Sequence, residues 1–239
     1  MRPGNDQSPL NPVPAIVWIL ALPMIASEAV FGLALTGFLN NGLGGQGAAL
    51  AMRQIAAEKS AFVPDILIRM WQLGIADPRQ LARLVTYPFI HYTFTQALFV
   101  VVFLLALGNM VARVFRPWAV LVLFFGSAIG GALIYTLCAA LLPQFRFAAL
   151  IGGYPAVYGF VGAFTYLLWL KLGQENGNQM RAFSLIGMLL LFQLVFGIIF
   201  QDGNLTWIAE LAGFASGFLL SFVLIPGGFA RLMGQIRQR

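Results

Sequence analysis

Charge is scarce in this chain. Asp, Glu, Lys and Arg make up 9% of its 239 residues, where a soluble domain carries roughly 25%. That scarcity excludes a water-soluble globule, which needs polar surface all round. It also excludes a disordered chain, which requires low hydrophobicity and high charge. Cysteine is nearly absent. Cys138 stands alone in an apolar run, so neither an internal disulfide nor a cysteine zinc site can form. A single histidine, His91, excludes a multi-histidine metal centre. No metal and no cofactor are expected. A basic face is missing too. The 14 Lys and Arg, against 8 Asp and Glu, are scattered in ones and twos, which argues against nucleic acid as a partner.

Hydrophobic residues abound. They are 60% of the chain, and mean hydropathy is +0.85. Crossing a bilayer takes about 20 apolar residues, and six segments qualify: 14–38, 89–112, 117–142, 148–170, 182–200 and 205–225. Runs this long do not resemble the alternating ten-residue strands of an outer-membrane barrel. The expected fold class is all-α: a polytopic membrane protein with six transmembrane helices, and the lipid bilayer as its first partner. The polar, proline-rich dozen at the start runs straight into the first apolar segment, without an A-x-A-like site. A retained first span is expected rather than a signal peptide.

Four connections are short (113–116, 143–147, 171–181 and 201–204), so the spans they join are antiparallel. The first connection, 39–88, is long. It opens on Gly42-Leu43-Gly44-Gly45 and then carries patterned segments at 48–62 and 65–73. Asp77-Pro78 reads as a helix start. Leu50, Ile55, Ile66, Leu67, Met70, Trp71 and Leu81 recur at helical spacing, which fits short amphipathic helices in the membrane interface. No repeat or second domain is seen. The organisation is a tail at 1–13, one membrane domain at 14–225 and a basic tail at 226–239.

Orientation follows from the flanking positive charges. Arg2, Arg113, Arg116, Lys171, Arg181, Arg231, Arg237 and Arg239 fall on one side, and the other short loops carry only Arg146. Both termini are therefore expected in the cytoplasm, with the long loop outside. A bacterial inner membrane suits this compact form.

Ionisable groups inside spans are costly and mark functional sites. Glu28, His91 and Glu210 are the three. Glu28 reads as a neutral packing residue, or else as a proton carrier. Glu210 and Tyr154 lie five and six residues into their spans from the outer end, roughly 8–9 Å deep. His91 and Gln96 fall at similar depth. Gly152-Gly153-Tyr154-Pro155 cannot be helix interior, because paired glycines permit positive φ and Pro155 suits a first helical turn. The helix proper is expected to begin at Pro155, below the surface. Irregular backbone there implies a hydrated pocket with Tyr154 at its floor. Small residues four apart in Gly126-Ser127-Ala128-Ile129-Gly130 and in Gly213 and Gly217 read as close helix packing.

From Arg83 to about Ser221 the chain resembles the rhomboid family of intramembrane serine proteases. The resemblance is carried by Arg83-Leu84-Val85-Thr86 through His91, by the Gly126–Gly130 motif, by Gly152-Gly153-Tyr154-Pro155 followed by Tyr158 and Gly162, and by Ala209-Glu210-Leu211-Ala212-Gly213 followed by Gly217. It implies a six-helix rhomboid-like bundle. It also implies that the nucleophilic Ser position holds Tyr154, the following Gly position holds Pro155, and the general-base His position holds Glu210. The two oxyanion-supporting positions become Gln96 and Val100. His91 matches an earlier family histidine outside the dyad; with Gly152, Gly153 and Pro155 it completes the expected pocket. A phenol has no accessible anion at neutral pH, so no catalytic residue is assigned. The expected function is a pseudoprotease that binds, chaperones or helps assemble other membrane proteins. Its partners would be client transmembrane helices, or a membrane complex of which it is a subunit. The alternatives are an active intramembrane serine endopeptidase with a displaced nucleophile, Ser127 or Ser216 with His91, and a small transporter built on Glu28 and Glu210. Tyr154 and Glu210 are expected to hydrogen-bond in place of the dyad.

Overall fold

The computed structural model describes residues 12–38, 45–190 and 206–226. Apart from one isolated bridge between Phe62 and Leu150, the regular structure of the described residues is helical. The helices are α1 (Ala15–Thr36), α2 (Gln46–Ser60), α3 (Pro64–Leu73), α4 (Pro78–Thr86), α5 (Phe94–Ala112), α6 (Pro117–Leu141), α7 (Tyr154–Gln174), α8 (described over 184–190) and α9 (Trp207–Leu224). Five of them, α1, α5, α6, α7 and α9, are long and apolar enough to cross a membrane. The expected span 182–200 begins as a 3-10 turn, Gln179–Phe183, and continues as α8. Its remainder lies outside the described residues, as do 1–11, 39–44, 201–205 and 227–239.

The long loop folds as its pattern indicates. Asp77 caps α4 by accepting from the Arg79 N–H at 2.9 Å, the role expected of Asp at an N-cap. Pro64 and Pro78 start α3 and α4, where a missing N–H costs nothing. Trp71 is 88% exposed on α3, a large apolar side chain on the polar loop. The second span starts later than its composition suggests. Tyr87–Phe89 is a 3-10 turn and Ile90 is extended. Thr93 then caps α5 by accepting from the Gln96 N–H at 3.1 Å. His91 therefore lies in the approach to the helix and not within it. Locally, the Thr93 hydroxyl takes one of the N–H groups that a first turn leaves without an intrahelical partner.

Helix α7 sits at the centre, packed on α5, α6 and α9. Its crossing with α9 is made by glycine. A Cβ on Gly213 would strike the Pro155 carbonyl, one on Gly217 the Gly159 carbonyl, and one on Gly162 the Phe214 carbonyl. Backbone meets backbone along this seam, the close approach that small residues four apart allow. Gly159 also receives Ser127 of α6, and Gly130 receives Ser216 of α9. The crossings fix where α7 and α9 begin, and so where their first turns face each other.

Helix α1 is held differently. Glu28 and Arg53 of α2 form a two-pronged ion pair, both contacts at 2.7 Å. Glu28, read from the sequence as a packing residue or a proton carrier, has Arg53 as its partner in the structure. Arg53 also donates to the His91 carbonyl at 2.8 Å and stacks 4.5 Å over the Phe31 ring. One guanidinium so ties the first span, the long loop and the approach to α5. The loop's contribution could not be seen from α1 alone, because the partner is 25 residues away.

Candidate functional site

A cavity of about 700 Å³ opens at the end of the bundle where α5, α7 and α9 begin. Its walls come from α5 (Gln96, Phe99, Phe103), from the segment 149–152, from α7 (Tyr154, Pro155, Tyr158), from α8 (Leu189) and from α9 (Glu210). The hydrated pocket inferred from the glycine pair therefore has a counterpart in space, and Tyr154 lines it.

The segment 151–153 is built to let this cavity form. Gly152 has φ +97°, a conformation that side chains oppose. A Cβ there would lie 2.6 Å from Gln96 Nε2 and 3.2 Å from His91 Cδ2. The Gly152 N–H donates to the Tyr87 carbonyl at 2.9 Å, and the Tyr87 hydroxyl donates to the Ala128 carbonyl at 2.8 Å. Gly153 precedes the first residue of α7, which begins at Tyr154, one residue before the expected start. Pro155 falls in the first turn as expected.

Gln96 is committed to backbone. Its Nε2 donates to the Ile151 carbonyl at 3.2 Å, and its Oε1 accepts from the Tyr92 N–H at 2.9 Å. Val100, one turn on, is fully buried, and its Cγ1 would be 2.7 Å from a Cβ on Gly153. It plugs the space below the turn with hydrocarbon. His91 is completely buried. Its Nε2 accepts from the Gly153 N–H at 3.3 Å, so the proton of the neutral ring sits on Nδ1, which has no partner among the described residues. Burial, and secondly the Arg53 guanidinium, push its pKa down to about 4, so the ring is neutral at pH 7.

Glu210 is 5% exposed, in the first turn of α9. There the positive end of the helix dipole favours a carboxylate. Tyr158 and Tyr154, one turn apart on α7, both stand close enough to Glu210 to interact with it electrostatically. The sequence pointed to Tyr154 as its partner. Tyr158 joins Tyr154 beside Glu210, a second phenol that the expected pairing did not include. Tyr154 and Tyr158 are four apart and share a helix face, which is the signal that could have found the second phenol. The serines considered for a relocated dyad are elsewhere. Ser127 packs on Gly159 with its hydroxyl buried and unpaired among the described residues. Ser216 packs on Gly130. The imidazole of His91 meets neither of them and is taken by Gly153. Among the described residues no group of His, Cys, Asp and Glu could hold a metal ion.

A family model, the Rhomboid domain, matches residues 78–227, from α4 through α9. The chain belongs to the rhomboid family. It is an integral membrane protein of that family, and the cavity at the head of α7 is built entirely from the matched region. Among curated proteins none matches the chain. Helices α1 to α3 precede the rhomboid match, and Arg53 of α2 braces it through the His91 carbonyl.

Proposed function

We propose that this rhomboid protein is a pseudoprotease that holds transmembrane helices of other membrane proteins without cutting them. The supporting observation is the cavity at the head of α7 and α9, which the carboxyl of Glu210 lines together with Tyr154, Pro155 and Tyr158. Peptide hydrolysis by a nucleophile needs a hydroxyl or thiol in hydrogen-bond contact with a base. The one imidazole of the chain is occupied by a backbone N–H, and its neighbours in the turn are glycines. Oxyanion stabilisation needs donors aimed at the developing charge. Here Pro155 has no N–H, the Gly153 N–H is spent on His91, and Val100 offers only methyl groups. Transport through Glu28 is disfavoured by its locked pairing with Arg53.

In this reading the protein resides in a bacterial inner membrane with both termini in the cytoplasm, and client helices reach the cavity from the bilayer beside α5 and α8. It acts alone or as a subunit of a membrane complex. The test is cleavage of a fluorogenic transmembrane substrate by the purified, reconstituted protein. No turnover above that of empty liposomes is expected. Turnover that disappears in Ser127→Ala or Ser216→Ala would establish a displaced nucleophile and overturn the proposal.

A further inference from the structure

We propose that Arg53 of α2 is a positioning residue for the cavity, and that α1 and α2 together set its wall from outside the family core. The inference rests on the client-binding reading and names how that site is regulated. No described residue of α1 or α2 lines the cavity, and both helices precede the rhomboid match. They reach it through two layers of contacts. In the first they hold the approach to α5. Arg53 donates to the His91 carbonyl at 2.8 Å, and the Ser27 hydroxyl shares its proton between the carbonyls of Met24 at 2.8 Å and Phe89 at 3.2 Å. In the second that approach holds the turn 151–153. Tyr87 takes the Gly152 N–H, His91 takes the Gly153 N–H, and Gln96 donates to the Ile151 carbonyl. Each of the three turn residues is thus gripped from 87–96. Met24 of α1 adds direct contact, since its Cε would stand 3.0 Å from a Cβ on Gly153.

Gly153 is where these layers meet the site. It is the N-cap of α7, and its carbonyl accepts the first helical bond, from the Val157 N–H at 2.9 Å. Tyr154 and Pro155, the next two residues, line the cavity. The His91 ring is fully buried. Among the described residues its Nε2 makes the one hydrogen bond of the ring, and Nδ1 has no partner. Its aim is therefore set by packing and through its backbone, and the carbonyl of that backbone is what Arg53 holds. Glu28 in turn fixes the guanidinium by both carboxylate oxygens, at 2.7 Å. Directional contacts so run from α1 to the head of α7, the kind of contiguous network that carries coupling between separate elements. A lysine at 53 would keep the charge pair with Glu28, but it lacks the planar fork that serves Glu28 and the carbonyl at once.

The experiment uses the full chain in lipid nanodiscs, a fluorescent polyleucine transmembrane helix as the probe, and amide hydrogen exchange. In Arg53→Lys, exchange at 151–154 should rise about tenfold, the order set by one charge-assisted hydrogen bond, and the probe should dissociate about fivefold faster. Leu123→Ala, a core change in α6 that takes no part in these contacts, should leave both near their original values even where it lowers the melting temperature as much. In the unmodified protein, probe binding should slow exchange at 46–60, because coupling is reciprocal. That readout needs no variant to fold. Unchanged exchange at 151–154 in Arg53→Lys, or a rise that Leu123→Ala reproduces, overturns the positioning role and leaves client binding standing. Binding that protects 151–154 but not 46–60 overturns the coupling to α2. If no probe binds, the client-binding reading falls, and exchange at 151–154 in Arg53→Lys alone decides the role of Arg53.

Discussion

Tyr158 of α7 stands beside the Glu210 carboxyl of α9, and a hydrogen bond between them would join by side chains two helices that Gly213 and Gly217 join by backbone. Hydrogen bonds between membrane helices contribute roughly 0.6–2 kcal/mol. Tyr158→Phe is expected to lower unfolding free energy in micelles by that amount. Glu210→Gln, which still accepts, should cost less, and Glu210→Leu more, because it leaves the Tyr158 hydroxyl unpaired. A Tyr154→Phe change larger than Tyr158→Phe would contradict the pairing. His91 gives a pH dependence. Its pKa is near 4 in the fold against 6.5 ordinarily, so the unfolded chain takes up its proton first as pH falls. Stability is whole above about pH 6.5 and declines toward pH 4, by roughly 3 kcal/mol at most. His91→Gln should flatten that decline in denaturant titrations across this range. Tyr154, Pro155 and Glu210 were legible in the sequence because odd residues stood in a recognisable pattern. The presence of Tyr158 beside Tyr154 at Glu210 was not singled out, although residues four apart share a helix face.

Among the elements, α2 has the most to lose from one substitution. Arg53 pairs with Glu28, donates to the His91 carbonyl and covers Phe31. The paired side chains are only 13% and 9% exposed, so removing one partner leaves the other charge nearly buried, at a cost of about 3–5 kcal/mol. Arg53→Ala should destabilise by that order and open the 45–60 segment to protease. Glu28→Gln with Arg53→Gln together should cost clearly less than the two single changes summed, as a double-mutant cycle in unfolding free energy would read. Additive costs would mean that the pair is not coupled. The loop helices themselves were legible from Asp77-Pro78 and the spacing of the apolar residues. The ion pair was not, because nothing local in α1 points to a partner in α2. The start of α5 was misplaced for a related reason: composition continues unbroken from Phe89, and only Thr93 as a cap shows where the helix takes hold.

For the molecule as a whole, hydropathy was enough to read a helical membrane bundle, and five described helices meet the length and composition of a span. Long apolar runs leave no other fold class, whereas packing between them is set by glycine seams that hydropathy does not register. The proposed orientation rests on eight basic residues in the termini and two short loops against one in the other short loops. A reporter that fluoresces only in the cytoplasm should be bright after Arg239 and near Gly173, and dark within 42–47; brightness in the long loop would reverse the assignment. The central claim, a rhomboid that holds a helix without cutting it, has one direct measurement. A photocrosslinking residue replaces Leu189, on the cavity wall, in the reconstituted protein, and the adduct with a defined transmembrane peptide is weighed intact. The account predicts a single adduct carrying the full mass of the peptide, undiminished after prolonged incubation. Adducts bearing only a truncated fragment, or none above the level from a lipid-facing position such as Leu137, would contradict it.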